Sequence, residues 1–360
     1  MKKLTILAAA VALVAACCAP KADFPVYGWE GLNENADSVQ LREHYQFLKD
    51  QGLTGICINN NNVELVRMAS AIAHEVGLEY HAWVPCMVRG GLPHEWYAVN
   101  RLGQKADEFP AYVEYYKALD PRNQEVHDYF CNMLSEIAAL PDVDYVQLDY
   151  IRYPDVILAR GLWDKYGLVM DEEYAPADYC YCDDCVAAFK ELTGIDIKEV
   201  EDPSKVAEWA KFRCDAVTDL VNDICAAVHA KGGKVSADVF PGPDSHAVWM
   251  VRQQWNEWDC DMFFPMNYND FYLEGADWIE PITAEEVAAA GTKPLISGLF
   301  ICKDWQKKAS IEDPEGHGLI PSEIETAVKG AKKAGAAGIA LFTPGDMTPE
   351  HWEALKAALK

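Results

Sequence analysis

Asp149, Arg152 and Tyr153 crowd the end of the run Val146-Gln147-Leu148-Asp149-Tyr150-Ile151-Arg152-Tyr153-Pro154. The run opens with apolar and β-branched residues, as a buried strand does, and stops at a proline. A carboxylate that ends a strand beside a guanidinium and phenols is placed where parallel α/β enzymes keep their chemistry. An Asp149–Arg152 ion pair that merely fixes the loop is the competing structural explanation. Carboxylates act in pairs when they cleave acetals: one protonates the leaving oxygen, and the other attacks the anomeric carbon or activates water. Asp238 and Glu30, each near the end of another apolar run, are the candidate partners. Around them, Trp29, Asn59, Asn60, His81, Trp83, Asn267 and Tyr268 also sit at strand ends. Amides and flat aromatic faces are the groups that bind a sugar's hydroxyls and its apolar ring.

The elements that must position these groups alternate regularly. Strand-like runs begin near Phe24, Thr54, Glu79, Val146, Lys234, Asp261, Pro294 and Gly338. Helical periodicity follows them over Asp37–Gln51, Val63–Val76, Asn123–Leu140, Ser204–Lys231, Ser245–Trp258, Ile282–Ala290, Ser322–Ala334 and Pro349–Leu359. Eight strand–helix alternations call for a parallel sheet. With no Gly-x-Gly-x-x-Gly after the first strand, they predict an α/β fold of the closed (β/α)8 type, a TIM barrel, and no cofactor. Residues 24–360 are expected to form one catalytic domain, with a loop insertion at 155–203 after the fourth strand. The chain has 11 Trp, 17 Tyr and 12 Phe, ample for a large core. Its formal charge of −26 repels phosphate backbones and argues against a nucleic-acid partner.

Lys2 and Lys3, a short apolar run from Leu4 to Ala16, and then Cys17 resemble a bacterial lipoprotein signal. The resemblance implies cleavage before Cys17, lipidation of that residue, a short tether at 18–23, and export with the barrel held to a membrane by acyl chains alone. Ten cysteines follow Cys18, most of them single within apolar runs, where they read as small core residues. Cys180, Cys182 and Cys185 differ. Their spacing suits either a disulfide pinning an exposed loop, permitted by export, or a structural zinc with Cys214 as a fourth ligand. No catalytic metal is expected.

Four segments together resemble the family-10-like glycosyl hydrolases, bacterial TIM-barrel proteins that include many lipoproteins. They are Tyr80-His81-Ala82-Trp83, Leu119-Asp120-Pro121-Arg122-Asn123-Gln124-Glu125-Val126, Val146 to Pro154, and Phe264-Pro265-Met266-Asn267-Tyr268. The resemblance implies a carbohydrate substrate and marks Asp149 as the principal carboxylate. Relatives often carry two adjacent acids at that strand end. Here Tyr150 takes the second place, so the partner must come from another strand. The expected function is glycoside hydrolysis at the barrel mouth; the alternative is a catalytically inactive glycan-binding lipoprotein on the same barrel.

Overall fold

A computed structural model describes residues 23–313 and 316–360. The apolar run and Cys17 lie outside the described residues. Among the described residues no helix is long and apolar enough to cross a membrane.

The eight strands are β1 Val26–Gly31, β2 Gly55–Asn59, β3 Glu79–Pro85, β4 Tyr145–Asp149, β5 Val235–Val239, β6 Met262–Pro265, β7 Ile296–Phe300 and β8 Gly338–Phe342. They pair in parallel in the order β6-β5-β4-β3-β2-β1-β8-β7. Parallel bridges Phe263–Leu295 and Met266–Gly298 join β6 to β7 and close the ring. The protein is a (β/α)8 barrel. The helices are α1 Ser38–Gln51, α2 Val63–Val76, α3 Gln124–Ala138, α4 Trp163–Tyr166, α5 Asp183–Thr193, α6 Ala207–His229, α7 Val248–Val251, α8 Ile279–Ala290, α9 Pro321–Ala334 and α10 Pro349–Ala358. Local signals set several of their ends. Asp37 and Asn62 accept backbone N–H bonds as N-caps of α1 and α2, and Gly52 and Gly77 close the same helices in the left-handed conformation.

Side-chain alternation divides each strand between barrel interior and helix layer. Tyr27, Cys57, Tyr145, Phe264, Ile296 and Ala340 pack together inside the ring, below Trp29, Trp83 and Phe342. Intervening residues such as Ile56, Ala82, Val146 and Leu148 belong to the larger core under the helices.

Two expectations change. The expected helix over Ser245–Trp258 stops at Val251: a π-helical turn over Pro243–Ala247 runs directly into α7, and Arg252 then turns into the left-handed region with φ 58°. Gln253 then reaches back to accept the backbone N–H of Phe240 at 2.7 Å, and Trp255 donates to the Phe240 carbonyl at 3.1 Å. These tertiary contacts outweigh helical periodicity. The insertion after β4 is also packed rather than loose. It contains α4 and α5 and is held to α6 by a buried Arg213–Asp178 ion pair and by a 3.2 Å bond from Trp209 Nε1 to Tyr181 Oη.

Candidate active site

β4 and β5 run in register through the Leu148–Ala237 pair. The next residue on each strand is an aspartate, so Asp149 and Asp238 stand side by side on the inward face at the C-terminal end of the barrel. Each is held by a tryptophan from another strand. Trp83 Nε1 donates to Asp149 Oδ2 at 3.0 Å, and Trp29 Nε1 donates to Asp238 Oδ1 at 3.2 Å. Asp149 Oδ1 also accepts the backbone N–H of Tyr150 at 2.6 Å, and Asp238 Oδ1 accepts from Gln147 Nε2 at 2.8 Å.

Both carboxyls line a cavity of about 350 Å³. Its floor and one side come from strand ends: Trp29, Asn59, Trp83, Met266, Tyr268 and Phe342. The loop after β3 adds Tyr112, Tyr115 and Tyr116, and the insertion adds Leu158, Ala159, Leu162 and Tyr166. The tyrosines form a wall of edge-to-face contacts, with Tyr112–Tyr116 ring centroids 5.0 Å apart and Tyr112–Tyr166 5.4 Å apart.

The two carboxyls differ electrostatically. Burial pushes Asp149 above the usual carboxylate range; the Tyr150 N–H, the Trp83 N–H and the nearby Arg152 charge oppose that rise. Burial pushes Asp238 well above the range, and the charge of Asp149 pushes it further, against the bond from the Trp29 N–H. Burial and the neighbouring charge thus oppose ionisation more strongly at Asp238 than at Asp149.

Arg152 does not lock Asp149. Its guanidinium bonds the Tyr153 carbonyl at 2.9 Å and Asp155 Oδ2 at 3.2 Å, between the rings of Tyr150 and Phe240. Asp155 Oδ2 also accepts from Tyr112 and Tyr116 at 2.9 and 2.7 Å. The competing explanation of an Asp149–Arg152 structural pair is thereby replaced by an Arg152–Asp155 pair in the cavity wall. Tyr150 itself has φ 45°, a conformation costly for a residue with a side chain.

Of the residues expected at the mouth, Trp29, Asn59, Trp83, Asp149, Arg152, Asp238 and Tyr268 line the cavity. Five do not. Glu30 alternates with Trp29 and faces α1, where its carboxylate meets His44 Nε2 at 2.7 Å. His81 is fully buried inside the barrel, bonded to Ser236 Oγ at 2.9 Å and stacked on Tyr145, one alternation below Trp83. Asn60 accepts the Asn62 backbone N–H at 2.7 Å and shapes the turn after β2. Tyr153 is buried behind the wall. Asn267 follows the inward-facing Met266, so it points to the helix layer and donates to Glu286 Oε2 at 2.9 Å. Gln147, Asp155 and the tyrosines of the β3 loop were missed. A polar Gln147 in an otherwise apolar strand was the available signal; the tyrosines join the site only through tertiary folding.

Cys180, Cys182 and Cys185 gather around Asp120 rather than Cys214, and Cys180 and Cys185 are buried. This corrects both the exposed-loop expectation and the expected fourth partner.

No family model matches the chain, and no curated protein matches it. Several solved structures share its fold. The catalytic domain of a β-amylase from Paenibacillus polymyxa has a TM-score of 0.57 at 12% identity, over 92% of this chain and 94% of that one. A class V chitinase from Pseudomonas fluorescens has a TM-score of 0.54 at 12% identity, over 94% and 100%. An endo-1,4-β-mannanase from Rhizomucor miehei has a TM-score of 0.54 at 10% identity, over 90% and 87%. At these identities the likeness is one of fold.

Proposed function

We propose that this protein is a glycoside hydrolase that cleaves an oligosaccharide or glycan over Asp149 and Asp238. The observation that carries the proposal is the pair itself: two buried, unequally stabilised carboxyls on adjacent strands, at the floor of an aromatic cavity. Asp149 acts as the carboxylate nucleophile or base. Asp238 acts as the acid that protonates the leaving oxygen. Trp29 and Trp83 orient the two groups, while the tyrosine wall offers ring faces and hydroxyls to sugars. The glycan-cleaving names among proteins of similar fold support the substrate class. The four motifs support placement beside the family-10-like hydrolases. We place residues 24–360 as one catalytic unit, exported and held at a bacterial membrane through lipid on Cys17.

The test is reducing-end release from a panel of α-glucans, chitin and peptidoglycan fragments, and β-mannans. The wild type is expected to cleave at least one class, and Asp149→Asn to abolish that cleavage without lowering the melting temperature. Saturable glycan binding by the wild type with no new reducing ends would overturn the proposal in favour of a binding barrel.

A further inference from the structure

We propose that Asp120, Cys180, Cys182 and Cys185 form a tetrahedral zinc site that clamps the loop after β3 to the insertion after β4. The four side chains come from two separate excursions of the chain, yet their ligand atoms all lie within 4.8 Å of one another. Three sulfurs converge on one carboxylate. Sγ of Cys180, Cys182 and Cys185 lie 3.4, 3.1 and 3.6 Å from Asp120 Oδ2. A tetrahedral zinc with Zn–S of about 2.3 Å and Zn–O of about 2.0 Å has an S···O edge of about 3.5 Å. The observed distances bracket that edge, so a metal fits with only small side-chain adjustments.

The surroundings suit ligands rather than bystanders. Asp120 Oδ1 accepts the backbone N–H of Arg122 at 3.0 Å, which orients the carboxylate with Oδ2 toward the sulfurs. The N–H of Val99 lies 3.5 Å from Cys180 Sγ, and the N–H of Cys185 lies 3.4 Å from Cys182 Sγ. Such donors stabilise thiolates. Cys182 caps the N-terminus of the eleven-residue α5, where the helix dipole also favours negative charge. No lysine or arginine forms an ion pair with Asp120 among the described residues. A disulfide would consume two of the three cysteines and leave the third thiol against a buried carboxylate. A divalent cation engages all four groups, displacing the thiol protons to water.

The position gives the metal a task. Asp120 closes the loop that carries Tyr112, Tyr115 and Tyr116, while the cysteines belong to the insertion that carries Leu158, Leu162 and Tyr166. The backbones already meet beside the site, where Tyr181 N donates to the Val99 carbonyl at 2.7 Å. The site stands apart from the carboxyl pair and carries no catalytic step, so the inference holds whether or not the cavity cleaves glycans.

The experiment uses the full chain purified in mild detergent without chelator. Elemental analysis is expected to find one zinc per chain. Chelation followed by cobalt(II) is expected to give thiolate-to-cobalt charge-transfer bands and the visible bands of a tetrahedral site. Cys182→Ser and Asp120→Asn should each lose most of the metal, while Cys214→Ser, a buried cysteine on α6 outside the cluster, should keep it. Failure of the wild type to bind either metal would overturn the proposal, as would a thiol count showing two of the three cysteines oxidised, or full zinc retention in Cys182→Ser. The wild-type cobalt spectrum decides the matter even where a variant does not fold.

Discussion

Asp238 is the residue at which protonation, stability and chemistry meet. Unfolded, its carboxyl titrates in the ordinary range near 3.8; folded, burial and the Asp149 charge hold it far higher. Between those limits the folded chain keeps a proton that the unfolded chain has released, so stability falls as pH rises through that window. Asp238→Asn removes the penalty and keeps an oxygen for Trp29 and Gln147. Its melting temperature is expected to exceed that of the wild type at pH 8 and to match it near pH 4, measured by scanning calorimetry. Activity should move the other way, falling by about 10²–10⁴-fold. The basic limb of the wild-type pH–rate bell should disappear in this variant, while the acid limb set by Asp149 stays above the usual carboxylate range. Glu286 behaves similarly away from the cavity. Burial pushes it up to about 8 from 4.5, against bonds from Asn267 and Gly242. Stability attributable to it declines between those values, and Glu286→Gln is expected to flatten that part of the pH–stability profile.

At the scale of elements, strand alternation and a few tight contacts decide what reaches the cavity. Gly298 lies on β7 at the seam with β6. A Cβ there would stand 2.7 Å from the Pro265 carbonyl oxygen and 2.9 Å from the indole edge of Trp29. Neither the bridging backbone nor the buried indole can yield freely. Gly298→Ala is expected to lower the melting temperature and, by displacing Trp29 from Asp238, to lower kcat more than it raises KM. Leu273 tests backbone strain outside the cavity lining. It ends a short turn with φ 58°, a conformation that costs a residue bearing a Cβ about 1–2 kcal/mol. Leu273→Gly relieves that cost. A small rise in unfolding midpoint in urea, with an unchanged slope, is the expected result.

For the whole molecule, the barrel supplies a rigid ring and the excursions after β3 and β4 supply the walls. Twelve aromatic residues line the cavity around the two carboxyls. Tyr112, Tyr115, Tyr116 and Tyr166 come from the excursions, so disturbing the clamp between these segments should alter substrate affinity before it alters the chemical step. Chelated wild-type protein is expected to show a raised KM with a smaller change in kcat, and a lower melting temperature, both restored by zinc. An unchanged KM and melting temperature would separate the wall from the cysteine cluster.

Sequence alone determined the ring. Eight apolar runs, their caps and their glycine stops are local signals, and most strands and helices lie within a few residues of where periodicity puts them. Asp149, Asp238 and Trp83 were also legible, because each ends or nearly ends a strand whose inward parity is set by alternation. Parity misled where adjacent residues both looked suitable. Glu30 beside Trp29 and Asn267 beside Tyr268 face the helices because a step of one residue reverses direction in a strand. The tertiary structure alone set Asp238 beside Asp149, through the register of β4 against β5. It also decided the tyrosine wall and the meeting of Asp120 with three cysteines, since contacts across 60 to 65 residues of chain leave no periodic trace.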